Sequence, residues 1–230
     1  MIVMCDSQVP EWINREKVHI IYHSDFIPEK YLPTFSSNFI ETFLPLLPLV
    51  EEKFIYGNDD MFPCRKLSKE LFFKGNIPCY SIYVRDYFET GPGDYLRRNA
   101  YNLITGKKQY KKVVTTQHSV ISFKLSLLQI CFKKYKKTLL KSLSRFREPQ
   151  NYNQYIYSFY QMMEDTIINK QQKMISYSLK PEIIEKIINL DLKKYDYICL
   201  NDDVDMKETD WKKIQNKFET LFPKKSKYEK

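Results

Sequence analysis

Two short apolar runs in this chain end in the same three residues. Phe54-Ile55-Tyr56 leads through Gly57 into Asn58-Asp59-Asp60, and Tyr197-Ile198-Cys199-Leu200 leads into Asn201-Asp202-Asp203. Carboxylate and amide oxygens at a strand end are what a hard divalent cation takes as ligands. Mg2+ shares its coordination with substrate phosphates, so one or two carboxylates are enough. Asn and Asp also serve turns and caps, and each cluster alone is explained that way. Their recurrence after two strand-like runs points to a metal-assisted, phosphate-handling site.

A polar tip also follows the run Val18–Tyr22, at His23-Ser24-Asp25. Ligands of open α/β sheets bind at such strand ends. Of the three histidines, His19 lies inside that run and reads as structural. His118 precedes a long amphipathic pattern, where a helix N-terminus disfavours the cation and leaves a neutral imidazole able to act as a base. A polar helix-start residue without chemistry is the competing reading. Arg145 and Arg147 bracket Phe146. Their guanidinium forks suit phosphate oxygens, although a pair at a helix C-terminus would equally complement the dipole. Asn153-Gln154 could donate hydrogen bonds to a sugar.

Composition narrows the classes. Only 5 glycines are present, with no glycine-rich dinucleotide loop and no Walker-type phosphate loop. Lys and Arg exceed Asp and Glu by 37 to 28, a surplus of +9 that favours polyanionic partners: phosphorylated small molecules, an anionic membrane surface or nucleic acid. Lys133-Lys134-Tyr135-Lys136-Lys137 resembles a basic-aromatic strip for single strands, but no nucleic-acid motif accompanies it, so that partner is disfavoured. A solvated helix face is the plainer account of the charge run. The 5 cysteines form no CxxC pair, and an odd number without metal spacing fits a reducing cytoplasm. No apolar run reaches membrane-span length.

The elements that must position these residues are strands early and late with helices between. Strands are expected at Val18–Tyr22, Phe54–Tyr56, Cys79–Val84 and Tyr195–Leu200. Helices are expected from Ser36 or Ser37 to Leu44, over Asp94–Ile104 and over Val120–Tyr135 with continuation to Phe146. Further helices are expected over Tyr152–Met163, from Pro181 to Leu190, and over Glu208–Phe222. The order suggests one α/β domain over residues 1–230. Residues 1–90 form its α/β part, 91–190 a mainly helical insertion, and 191–230 a returning strand and closing helix.

At this point the residues become familiar. Leu32-Pro33-Thr34-Phe35-Ser36-Ser37, Ile40-Glu41 and Phe54–Asp60 resemble the Stealth family of sugar-phosphate transferases, and Val9-Pro10-Glu11-Trp12 resembles its upstream segment. Gln117-His118, Arg145-Phe146-Arg147, Asn153-Gln154-Tyr155 and Phe159-Tyr160 are similar to its third block. Ile198–Asp202 and Phe222–Glu229 are similar to its fourth. The resemblance implies a glycosyltransferase-A-like α/β fold and transfer of a hexose-1-phosphate from a nucleotide sugar to an acceptor hydroxyl, in capsular or exopolysaccharide synthesis. It implies Mg2+ or Mn2+ as cofactor and a saccharide acceptor, while the cysteine usage and the positive surplus point to a cytoplasmic location with peripheral contact at the anionic inner face of the membrane. Carried over by position, His118 and Asp60 are catalytic. Asn58, Asn201, Arg145 and Arg147 hold donor phosphates, and Asp59, Asp60 and Asp202 hold the metal. No counterpart of the family's first block precedes Ile2, and Gly57 stands where relatives carry a larger residue. The expectation is therefore an N-terminally truncated relative, with a non-catalytic or split-enzyme subunit as the alternative.

Overall fold

The computed structural model describes residues 2–4, 8–86, 94–106, 112–116, 119–201 and 206–230. The chain opens with β1 (Ile2–Met4) and β2 (Ile20–Tyr22), a parallel pair. Helix α1 (Ser37–Thr42) starts where the Ser36 hydroxyl accepts the Phe39 N–H at 3.4 Å, which satisfies one free amide of the first turn. It stays short because a 3-10 turn over Leu44–Leu46 takes over, and Pro45 has no N–H with which to continue an α-helix. Then come β3 (Lys53–Tyr56), β4 (Met61–Pro63), β5 (Phe73–Lys74), β6 (Ile77–Tyr80) and β7 (Ile82–Asp86). The middle of the chain holds α2 (Asp94–Thr105), β8 (Lys112–Thr116), β9 (Ile121–Lys124), α3 (Leu125–Lys141) and α4 (Tyr155–Glu164). The last third holds β10 (Ile168–Asn169), β11 (Met174–Ser178), α5 (Ile184–Ile188), β12 (Tyr197–Asn201) and α6 (Glu208–Leu221).

The protein is mixed α/β. Its described strands form several small sheets: β1-β2, β3-β9, β7-β8, β10-β6-β5 and β11-β12-β4. Two of these position the site. β3 runs antiparallel to β9, pairing Phe54 with Phe123 and Tyr56 with Ile121. β12 lies between β11, parallel, and β4, antiparallel.

Several expected elements differ. Val120–Lys124 was expected to begin a helix; Ile121–Lys124 is instead strand β9, and the helix begins at Leu125. Phe123 packs against Phe54 and Tyr56 with ring centroids 5.7 and 6.4 Å apart, so a cross-strand aromatic cluster outweighs the helical spacing that Ile121 shares with Leu125. Helix α3 ends at Lys141 rather than reaching Phe146, and the Ser142 hydroxyl donates to the Leu139 carbonyl at 2.8 Å. Cys79–Val84 divides at Ser81 into strands of different sheets. From Pro181 a 3-10 turn precedes α5, which stops at Ile188. Residues 91–190 carry β8, β9, β10 and β11 in addition to their helices.

The larger core lies between α1, α2, α3, α4 and the β3-β9 pair, centred on buried Leu128, Cys131, Leu139, Ile156 and Tyr157. Gln161 ties helix to sheet inside it: its amide donates to Tyr80 and to the Ser122 carbonyl, and its Oε1 accepts the Lys124 N–H. Every polar group of that side chain is thus paired, as burial requires. A second core joins β12 to α5 and α6 through Ile184, Ile187, Ile198 and Ile214. Leu71, Phe72, Val120 and Tyr197 form a smaller cluster of their own.

Ile198 is wholly buried on β12, the strand that carries Asn201. Ile198→Ala is expected to cost about 2–5 kcal/mol, by loss of buried methylenes and an unfilled cavity. The displacement of the urea unfolding midpoint measures it, and a shift near zero would show that β12 is not anchored by this core.

Candidate active site

Strand pairing brings the first Asn-Asp cluster beside Asn201, the one described residue of the second. Met61 of β4 opposes Cys199 of β12, and the ladder continues one step further, where the Leu200 N–H donates to the Asp60 carbonyl at 2.9 Å. Asp59 and Asp60 therefore lie beside Leu200 and Asn201, the end of β12. The turn that presents them is closed by the Met61 N–H donating to the Asn58 carbonyl at 3.3 Å, so the cluster is a turn and a site at once. Gly57 fits the close packing there, since a Cβ at that position would stand 3.2 Å from a Val120 methyl.

Asp60 faces two environments. Its Oδ2 accepts the Cys199 thiol at 3.2 Å, and burial pushes that thiol up to about 11, so it stays protonated. Its Oδ1 is buried and has no hydrogen-bond partner among the described residues. A buried anionic oxygen without a donor is costly, and a cation is one way to satisfy it. Asp59 is exposed beside it, as is Asn201, whose amide lies 3.5 Å from the Ser176 hydroxyl. Two carboxylates with an amide make an oxygen donor set suited to a hard cation that keeps positions for phosphate and water. Among the described residues no group of three or more His, Cys, Asp or Glu forms a self-sufficient metal cage.

A buried carboxylate links this loop to the arginines. Glu41, only 6% exposed on α1, accepts the Tyr56 hydroxyl at 2.8 Å and the Gln154 N–H at 3.1 Å. Burial raises its carboxyl above the ordinary range, while those two donors and the Arg147 charge pull the other way. Burial also raises the Tyr56 phenol well above its usual value, followed by the Glu41 charge, with Asp59 and Asp60 adding to it. Tyr56 is therefore a donor, never a base, and it stands between Glu41 and the acidic loop. Arg147 donates to the Ser37 hydroxyl at 2.9 Å. Arg145 is fixed through its carbonyl, which accepts the Phe35 N–H at 2.8 Å and the Thr34 hydroxyl at 3.4 Å. Both arginine side chains are exposed.

Of the expected residues, Asn58, Asp59, Asp60 and Asn201 come together, while Arg147 is held at α1 by Ser37 and acts on Glu41 through its charge. His118 and Asp202 lie outside the described residues. The helix start invoked beside His118 is displaced, because β9 stands between Ser119 and α3. Asn153 and Gln154 are buried and engaged with protein: Asn153 Oδ1 accepts the Tyr155 N–H, and Gln154 Oε1 accepts the Ser158 hydroxyl. Glu41 and Tyr56 were not assigned roles from the sequence. The available signal was a carboxylate flanked by Phe39, Ile40 and Phe43, a charge in the middle of a buried face.

Comparison with known proteins gives the family. Residues 1–79 match the family model for Stealth protein CR2, conserved region 2, and residues 190–230 match that for Stealth protein CR4, conserved region 4. The chain belongs to the Stealth family. A capsular polysaccharide phosphotransferase of Actinobacillus suis is 33% identical over 151 residues, covering 61% of this chain and 40% of the relative. The capsular polysaccharide phosphotransferase SacB of Neisseria meningitidis serogroup A is 29% identical across the whole of this chain, which spans 46% of that protein. WcwK of Streptococcus pneumoniae, also a capsular polysaccharide phosphotransferase, is 29% identical over 97% of this chain and 79% of its own length. The chain thus spans less than half of the first two relatives.

Glu41 has a pH signature. The folded state holds its proton more tightly than the unfolded state does, so its contribution is fully favourable below the ordinary carboxyl value. That contribution is lost as pH rises through the raised folded value. Relative to Glu41→Gln, the wild type should lose stability as pH rises above the ordinary carboxyl value of 4.5. Urea midpoints for both proteins measure this, and a constant difference above that value would show that Glu41 does not titrate as its burial demands.

Proposed function

We propose that this chain forms the phosphate-handling part of a capsule-related phosphotransferase, one that moves a hexose-1-phosphate from a nucleotide sugar to a saccharide hydroxyl. The observation that carries the reading is the β4–β12 pairing, which sets Asp59 and Asp60 against Asn201 and leaves one buried carboxylate oxygen of Asp60 unsatisfied. The names of the relatives, all capsular polysaccharide phosphotransferases, support the same class. A glycosyltransferase-A-like arrangement of the small sheets belongs to this proposal. No helix among the described residues is long and apolar enough to cross a membrane, and the positive surplus suits an anionic inner leaflet as a peripheral contact.

In this reading Asp59, Asp60 and Asp202 would hold Mg2+ or Mn2+, with Asn58 and Asn201 beside the donor phosphates. The cation would neutralise charge on the donor diphosphate. Arg145 and Arg147 grip the phosphoryl oxygens, and Glu41, through Tyr56, stiffens the strand that leads into the acidic loop. His118 takes the proton of the acceptor hydroxyl as that oxygen bonds to the sugar-bearing phosphorus. The bond from this phosphorus to the bridging oxygen breaks, and the nucleoside monophosphate leaves with that oxygen. Positioning and charge neutralisation account for most catalysis of this kind.

Incubation of the full chain with nucleotide sugars, Mg2+ and a saccharide acceptor should release nucleoside monophosphate. Asp60→Ala and His118→Ala are each expected to lower the rate by about 100-fold or more, with little change in melting temperature. Chelation of the metal should do the same reversibly. Release of nucleoside diphosphate would mean glycosyl transfer instead, and donor binding without any release would leave a binding subunit.

A further inference from the structure

Phe35 and Phe146 stack on each other with ring centroids 5.4 Å apart and planes 16° from parallel, yet they remain 65% and 61% exposed. They come from segments 110 positions apart that are fastened to each other. The Phe35 N–H donates to the Arg145 carbonyl at 2.8 Å, and Arg147 donates to the Ser37 hydroxyl at 2.9 Å. The pair is a fixed aromatic ledge bordered by two exposed guanidiniums.

A cationic ridge precedes Phe146 in the chain. Lys133, Lys137 and Lys141 are exposed at every fourth position of α3, and Arg145 follows at the same interval beyond the helix end. Residues four apart share a helix face, about 6 Å apart along the axis. None of these four side chains makes an ion pair among the described residues. Local compensation is missing as well, since no Asp or Glu occurs between Asp94 and Glu148. Lys134 is the exception on this helix, because its ammonium sits 5.3 Å from the Tyr160 ring.

We propose that the ledge and the ridge together form a track for a phosphodiester-linked glycan, the growing anionic polymer that serves as acceptor. This rests on the phosphotransferase reading. The occupant follows from the two surfaces jointly. Phenyl faces without hydrogen-bonding groups suit the C–H face of a pyranose, and evenly spaced cations suit phosphates repeated along a chain. The ridge runs away from Arg145, so the polymer would lie along α3 with its terminal sugar on Phe35 and Phe146, next to the arginines.

Direct binding tests the track without requiring turnover. The ligands are a synthetic phosphodiester-linked hexose tetramer, the matching neutral tetrasaccharide, a nucleotide sugar, and vesicles containing phosphatidylglycerol. Isothermal titration suits the soluble ligands and sedimentation the vesicles. The wild type should bind the anionic tetramer more tightly than the neutral one, with affinity falling as salt rises. Phe146→Ala should weaken tetramer binding by about tenfold, while Phe146→Tyr retains it. Lys137→Gln with Lys141→Gln should erase most of the preference for the anionic ligand, and nucleotide-sugar binding should be unchanged in all three. Because the altered groups are exposed, melting temperatures should match the wild type. Tetramer affinity that ignores these substitutions would overturn the track. Loss of nucleotide-sugar binding in Phe146→Ala would make the ledge a donor site, and loss confined to the vesicles would make the ridge a membrane face; either would overturn the proposal. If no nucleoside monophosphate is ever released yet the tetramer binds as expected, the track stands and the catalytic reading fails.

Discussion

The antiparallel contact between β4 and β12 governs the chemistry available to this protein. Asp60 and Cys199 are 139 positions apart and meet only because β12 accepts β4 along one edge and β11 along the other. Closing so long a loop costs chain entropy, although that cost rises only slowly with loop length. Burial of Ile198 and Leu200 against α5 and α6 offsets it. The apolar residues of β12 go to the core, and the first polar residue after them, Asn201, emerges beside the acidic turn. A register slip of one residue would reverse which side chains face the core.

A second constraint is the buried carboxyl group of Glu41. A carboxylate removed from water is destabilising unless donors surround it, and here the donors come from different parts of the chain: the Tyr56 hydroxyl on β3 and the Gln154 amide before α4. Arg147 adds its field from the turn beyond α3. One buried carboxyl group therefore ties α1 to β3 and to the segment before α4. Its energetic cost is consistent with a positional role, since an apolar residue would fill the space without fixing the directions of three partners.

The same loops that carry the arginines also carry exposed aromatic surface. Water contact makes such exposure unfavourable, and mutual stacking of Phe35 and Phe146 covers only part of it. With the lysine ridge of α3 beside it, this surface has the two features needed to read a sugar and its phosphate together. In the proposed reading the roles are separate: oxygen ligands would lie at the strand ends and positive charge along the approach.

Sequence by itself established the acidic tips, the paired arginines and most of the longer helices, because those depend on local spacing and on residue chemistry. The motifs around Phe35, Asp60 and Asn201 were enough to indicate the family. Strand β9 was hidden, since Ile121 shares a helical spacing with Leu125, and the cross-strand contact of Phe123 with Phe54 favours the sheet. Strands as short as β5 and β10, with two residues each, carry no readable period at all. Glu41 and Tyr56 were visible as residues but not as a pair. Which tips converge, which carboxylate is buried and which side of α3 stays open were decided by the tertiary structure. Those properties depend on pairings between segments distant in the chain, and the energy of such pairings is absent from any local pattern.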